Sequence, residues 1–385
     1  MNKLVMKKSI VFFHPTAELY GADKILASVI NNYKDYKKTI VVKSDGPLLK
    51  IVKSQSPDIV VVVEENLPII AKKNLTLLGI FTFLVSLIKF ERTSKSLFKN
   101  GVSIVYLNTL ATLPVLFFCS KSTRKIVHVH EILSNSNILN KLLNKVAIKY
   151  SDAVICVSEA VKRNLASALP SMIDKLLLIQ NGVEFVDKQK DGSKNYFNTE
   201  KINFGLIGRI KPSHKGQIHL LNAINKLPKD ILQQGHFYFV GSTVPGQEYM
   251  LDEVKDKIRE YKLSNSVTII PFVEEIQVIY RNLDVVIVPS VFEDPFPTTV
   301  LEGMFFSKPI IGNRVGGIPE MIVENETGFL CERNDIEALS RSIQYFIENP
   351  KEIRSYGEKG KARFNHYFTL EKFNIRYKEG LSKFL

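Results

Sequence analysis

The segment VFEDPFPTTVLEGM, residues 291–304, concentrates groups that can hold a polar ligand. Asp294 and Glu302 flank a helix-start signal made by Pro297, Thr298 and Thr299. Proline suits a first helical turn, where its missing N–H costs nothing. The N–H groups of Thr298 and Thr299 then lack intrahelical acceptors and can hold an anion, helped by the helix dipole. Glu302 follows about one turn further on, among Val300, Leu301 and Met304. A carboxylate there accepts hydrogen bonds from a diol such as ribose. Acids beside an anion site make sense if they bind hydroxyls on either side of a diphosphate. The plainer alternative is a helix cap and a surface glutamate.

A second segment, GRIKPSHKG (208–216), places Gly208, Arg209 and Lys215 on one loop before a helix. Glycine permits close backbone approach, and a guanidinium with an ammonium is a phosphate-binding pair. Two solvated surface cations are the competing reading.

These loops need elements to position them. Near-continuous apolar runs at 9–14, 39–43, 58–63, 103–108, 125–130, 153–158 and 176–182 read as parallel strands buried on both faces. Helical patterns such as 21–33 and 140–151 alternate with them. The pattern breaks over the polar stretch 186–201, a linker, and then restarts. Strands are expected at 202–209, 236–242, 267–272, 284–290 and 308–313, and helices at 215–227, 248–263, 298–306 and 335–349. The expected fold is α/β, two tandem Rossmann-like domains at 1–185 and 202–366, with a C-terminal helix (367–385) packing back toward the first. Ligands of open parallel sheets bind beyond the carboxyl ends of strands, so facing domains would leave a ligand cleft.

A length of 385 residues with 45% hydrophobic and 24% charged content is globular. The three cysteines, Cys119, Cys156 and Cys331, have no paired spacing, which argues against a zinc site or disulfide framework and fits a reducing compartment. Charge is one-sided: the first 150 residues carry 22 Lys and Arg against 9 Asp and Glu, whereas the rest carry 30 of each. Such a field suits an anionic partner, a membrane surface or a nucleic acid. The apolar run after the first lysines, Ile10 to Phe13, is only four residues, too short for a secretion signal. The stretch LTLLGIFTFLVSLIKF (75–90) is too short and interrupted to span a bilayer. Lys72 and Lys73 precede it and Lys89, Arg92, Lys95 and Lys99 follow, so it can lie at a membrane interface, or else be a buried helix.

The paired acids and their surroundings resemble the motif of retaining glycosyltransferase family 4, in a branch with a DPFP-type sequence. YGADKIL (20–26), HVHEIL (128–133), VSEAVKRNL (157–165), NGVE (181–184), GRIKPSHKG, VGGIPEMI (316–322) and ETGFL (326–330) resemble further segments of that family, in its order. The resemblance implies a GT-B fold and a UDP- or GDP-linked sugar donor, which is a substrate, so no cofactor is implied. It implies that Arg209 and Lys215 hold the diphosphate, Glu302 the ribose, and Asp294 with the backbone around Phe296–Thr298 the transferred sugar. Gly21 and Ala22 would approach the diphosphate from the first domain, His130 would donate to the sugar, and Asn108 and Thr109 would line the acceptor side. Phe272, in IIPFVEE (269–275), would lie near the base. Asp294 stands where the family has Glu, Pro297 and Ala22 where it has Gly, and Asp23 where it has Glu.

No DxD motif or Cys/His cluster suggests a metal, so cations and helix N-termini are expected to meet the leaving-group charge. A dehydrogenase would need GxGxxG after a strand, and neither candidate loop has it. A nucleic-acid-binding protein explains the basic first domain but not the paired acids. An epimerase or phosphorylase of the same fold is a further alternative. The expected partner is a saccharide acceptor, lipid-linked, in cell-surface polysaccharide assembly, at the cytoplasmic face of an anionic membrane.

Overall fold

A computed structural model describes residues 8–18, 21–71, 74, 76–99, 101–185 and 197–384. The chain forms two compact units, Met1–Gly182 with Leu370–Leu385, and Val183–Thr369.

The first unit carries β1 (Ser9–His14), β2 (Lys37–Val42), β3 (Val60–Val63), β4 (Ile104–Asn108), β5 (Arg124–Val129), β6 (Ala153–Cys156) and β7 (Leu176–Leu178). All pair in parallel, in the order β3-β2-β1-β4-β5-β6-β7. The chain builds outward from β1 on one side, then crosses over to β4. The C-terminal ends of β1 and β4 therefore flank the switch point, where open sheets bind ligands. The second unit repeats the device with β8 (Ile202–Ile207), β9 (Gly235–Val240), β10 (Val267–Ile270), β11 (Val285–Val288), β12 (Ile310–Asn313) and β13 (Gly328–Cys331). Its order is β10-β9-β8-β11-β12-β13, and its switch point lies between β8 and β11.

Most expected strands form because their side chains are covered on both faces; β4, β6, β11 and β12 are buried throughout. The expectation fails at 58–63. There β3 is an edge strand, with Val60 and Val63 about half exposed. β13 was not anticipated.

The unit boundaries also differ from those expected. Val183 bridges Thr369, and Phe185 packs 5.1 Å from Phe305, so the second unit begins before 186. Residues 186–196 of the expected linker lie outside the described residues, while Phe197 already packs on Tyr238 at 4.4 Å. Phe368 lies against Phe296 in the second unit, and the return to the first comes only at Leu370. There Tyr377 shares a hydrogen bond with Tyr33 (2.9 Å), and Asn32 donates to Asn374 (2.8 Å).

The apolar stretch at 75–90 belongs to a helix, Leu77–Phe98, of 22 residues. Thr76 caps it by accepting from the Gly79 amide at 3.0 Å. It is no core helix: only Gly79, Phe90 and Ser94 are buried, and Leu77, Leu78, Phe81, Leu84 and Ile88 face outward. No helix among the described residues is long and apolar enough to cross a membrane. Lys72, Lys73 and Leu75 lie outside the described residues.

Candidate functional site

At the β8/β11 switch point the chain leaves β8 through Gly208, whose φ of +144° favours glycine. Beyond its chain neighbours, no atom of the described residues lies within 4 Å of where a Cβ would stand, so the strand end is open there. The Gly241 backbone touches the Gly208 carbonyl so closely that a side chain there would overlap it. Arg209 follows, its carbonyl accepting from the buried Gln217 side chain at 3.0 Å. A short turn, Pro212–Lys215, then delivers Lys215. Gly216 (φ +77°) lies so tightly on the Pro289 carbonyl that a Cβ would stand 1.9 Å from it.

Lys215 Nζ donates to Asp294 Oδ2 at 2.6 Å, both side chains part-exposed. The loop after β11 thus meets the loop after β8 through a direct ion pair. Sequence reasoning gave Lys215 to phosphate and Asp294 to sugar without joining them. Gly316 and Gly317 hold the acidic loop from below: the Gly317 amide donates to the Asp294 carbonyl (2.9 Å), and the Gly316 amide to Glu293 Oε2 (2.7 Å). Arg333 pairs with the other Glu293 oxygen.

Pro297 is the cap itself rather than the first helical residue, and Thr298–Phe305 is the helix. Phe296 is buried against Phe368, so only its backbone faces the loop. Glu302 is buried and accepts from the Tyr280 hydroxyl at 2.7 Å. Burial, and then the Glu302 charge, push the Tyr280 hydroxyl far above its ordinary range, so it stays a proton donor. Phe272 is exposed after β10, its amide held by Ser242.

At the β1/β4 switch point of the first unit, buried Asn108 is the hub. Its Nδ2 donates to His14 Nδ1 (3.0 Å) and to the Ala22 carbonyl (3.3 Å), and its Oδ1 lies 3.1 Å from His130 Nε2. His14 Nε2 lies 2.8 Å from Asp23 Oδ1. The chemistry of the partners sets the tautomers. A carboxylate faces His14 Nε2 and an amide oxygen faces His130 Nε2, so both nitrogens carry hydrogen. Asp23 reaches this network from the first turn of the helix Gly21–Ile30. Thr109 sits at φ +92°, a conformation a β-branched residue adopts only under constraint; its amide bonds the His128 carbonyl at 2.8 Å.

Burial favours the neutral forms of His128, His130 and Glu131 beside the hub. Burial lowers His128 to about 3, and burial followed by the His128 and His14 rings lowers His130 well below 6.5. His128 Nδ1 bonds the Tyr106 hydroxyl at 2.7 Å, and its Nε2 has no partner among the described residues. Glu131 reaches water at one edge but is otherwise enclosed by protein. Desolvation pushes it up to about 7, opposed by the Leu110 and His130 amides that donate to Oε2.

The structure thus gathers Gly208, Arg209, Lys215 and Asp294 at one switch point, and Ala22, Asn108, Thr109 and His130 at the other. Sequence reasoning missed His14, Glu131, Tyr280, Glu293 and Arg333, and noted Asp23 only as a departure. Two signals were available. Glu131 directly follows His130 at a strand end, and Asp23 opens a helix after the first strand.

Two all-parallel sheets, each with a central switch point, give the GT-B fold. The structure of HepE from Anabaena with UDP and glucose matches at TM-score 0.79 and 21% identity, over 97% of this chain and 99% of that one. Residues 187–363 match the model of the family described as glycosyl transferases group 1. An uncharacterized glycosyltransferase of Methanocaldococcus jannaschii is 32% identical over 63% of this chain and 62% of its own length. The capsular polysaccharide biosynthesis glycosyltransferase CapM of Staphylococcus aureus is 25% identical over 59% of this chain and 60% of its own. These matches span about three fifths of the relatives' lengths.

Proposed function

We propose that the chain is a glycosyltransferase that moves a sugar from a UDP- or GDP-linked donor to a saccharide acceptor, with retention and without a metal. The observation that carries this is the Lys215–Asp294 pair at the β8/β11 switch point, beside open space over Gly208. In this reading Arg209 and Lys215 take the diphosphate, and Asp294, released from Lys215 or bridged through it, takes a sugar hydroxyl. Glu302 binds ribose hydroxyls, sharing its carboxylate with Tyr280. The amides of Thr298 and Thr299 support the donor. His130, neutral and with hydrogen on Nε2, donates to the sugar by exchanging Asn108 Oδ1 for a sugar hydroxyl, and Asn108 and Thr109 line the acceptor side. The bond from the sugar's anomeric carbon to phosphate oxygen breaks as the acceptor oxygen bonds that carbon on the same face. The acceptor's proton passes to the leaving diphosphate, whose charge the two cations stabilise.

The finer assignment is retaining family 4, DPFP branch. The similarity to CapM and the basic first unit support a lipid-linked acceptor in surface-polysaccharide assembly, handled on the cytoplasmic face of the membrane.

A thermal-shift screen of nucleotide sugars tests the donor: a ligand at 100 times its Kd stabilises by about 2.7 kcal/mol. The product's anomeric configuration by NMR tests retention, and full turnover in excess EDTA tests metal independence. Donor turnover in the absence of any acceptor would favour an epimerase instead.

A further inference from the structure

Within the first unit, a cavity of about 610 Å³ runs between the helices Leu77–Phe98 and Ile138–Tyr150, floored by the segment Leu110–Phe118. Its walls are almost wholly apolar, among them Phe83, Leu87, Leu110, Leu113, Leu142 and Leu143. Among the described residues, Glu131 is the one charged residue of the lining, its carboxyl fixed by the Leu110 and His130 amides. The cavity is partly open to solvent: Leu142 and Phe117 are more than half exposed, and Leu78, Phe81 and Leu84 on the same helix as Phe83 stand outward. The two helices are basic on their exposed faces: Lys141, Lys145 and Lys149 recur every four residues along one, and Lys89, Arg92 and Lys95 follow along the other, where Lys95 pairs with Glu91.

A half-open apolar slot with one acidic group in its lining, borne on helices that are basic on their exposed faces, fits an amphiphile, an apolar chain joined to an anionic head. A packed core would leave no such space, and a simple membrane-contact face would be convex. We propose that this groove takes the apolar chain of a phosphate-bearing acceptor lipid. Glu131 then meets a hydroxyl of the acceptor's polar part, one residue from His130. This rests on the transferase reading for the acceptor role but not for the binding.

The test titrates dodecyl phosphate, below its micelle concentration, into the full chain by calorimetry, with butyl phosphate and inorganic phosphate as controls. The expected result is one saturable site per chain for dodecyl phosphate, at least ten-fold weaker with butyl phosphate and absent with inorganic phosphate. Leu142→Glu should weaken the dodecyl phosphate site at least ten-fold and leave UDP or GDP binding unchanged. Should that variant melt early, Leu142→Trp, which fills the groove without charging it, gives the same reading. No saturable binding of dodecyl phosphate, or equal binding by a folded variant, overturns the proposal. So does binding confined to phosphatidylglycerol vesicles, which makes the face a bilayer contact only. A protein that binds dodecyl phosphate but no nucleotide sugar keeps this groove and loses the transferase reading; the reverse loses only the groove.

Discussion

At the β1/β4 switch point the side chains that meet are His14, Asp23, Asn108 and His130, tied into one buried polar network through a single amide. At the β8/β11 switch point the meeting groups are Lys215 and Asp294, part-exposed, on loops seated by glycines. The same strand order therefore supports two electrical designs. A buried unpaired charge is costly, so groups that stay in place for the life of the protein are best neutral and fully hydrogen-bonded. A site that must receive a charged ligand and release it needs charges of its own, kept in contact with water. Lys215 and Asp294 satisfy each other until a ligand competes. The first unit fixes directions, and the second holds charge.

The contrast breaks most visibly at Lys215. Lys215→Ala should lower the rate of sugar transfer by roughly 100- to 1,000-fold, the range seen when one preorganised stabiliser of a developing oxyanion is removed. Binding of the free nucleoside should barely change. A loss smaller than ten-fold would mean that Lys215 is only the counter-ion of Asp294.

Glu302 offers a sharper division of the second site. Glu302→Ala should weaken donor binding by roughly 1.5–3 kcal/mol, as for a hydrogen bond to a charged group, and strand the Tyr280 hydroxyl. Tyr280→Phe removes that hydroxyl and keeps the carboxylate. Calorimetry should therefore find donor affinity preserved in Tyr280→Phe. Parallel losses in both variants would make Glu302 a structural acceptor rather than a ligand-binding group.

How far this division could be read from sequence depends on range. β-strands announced themselves as apolar runs, and the charged loops as short contiguous motifs. The helix Pro350–Tyr367 gave no such sign, because it buries Tyr356, Gly357, Gly360 and Phe364. Two of those four contacts are glycines that let the backbone itself approach; a Cβ on Gly357 would stand 1.9 Å from the Ser307 carbonyl. A hydrophobic period cannot register a contact made by the absence of a side chain. β3 misled in the opposite way, since a run of valines at a sheet edge looks like one at its centre. The network of the first unit was hidden because His14 and Asn108 stand on strands adjacent in space and 94 positions apart in sequence. Arg333 reaches Glu293 across 40 positions, equally beyond any local pattern.

The burial of Glu131 and His128 in the first unit should show in its pH dependence. Glu131 sits at about 7 folded against an ordinary 4.5, so its contribution is complete below 4.5 and is lost as pH rises through 7. His128 acts in the other sense, at about 3 against 6.5, and its contribution is lost as pH falls below 6.5. The two slopes oppose each other between 4.5 and 6.5. Glu131→Gln keeps an acceptor for the two amides and removes the titration. Its unfolding free energy from urea titrations should therefore climb relative to the native protein from pH 4.5 to 7, by about 1–2 kcal/mol after allowing for the carboxyl's access to water. Parallel profiles would show that Glu131 is ionised throughout.

The smallest effect belongs to the outward face of the Leu77–Phe98 helix, and its smallness is informative. Phe81 is 64% and Leu84 51% exposed, so the double change Phe81→Ser and Leu84→Ser removes little buried area. Stability should shift by no more than about 0.5 kcal/mol, as for surface positions in general. A core helix would instead lose several kcal/mol per large-to-small change. If the helix rests on a membrane, the same variant should lose the part of its binding to phosphatidylglycerol vesicles that survives high salt. Charge attraction, from Lys89 and Arg92 among others, is screened by salt, and apolar insertion is not. Changing Lys89 and Arg92 to Gln should remove the salt-sensitive part alone. A stable double-serine variant whose vesicle binding is untouched would leave the helix's apolar face without a membrane role and confine the unit's attraction to its charge.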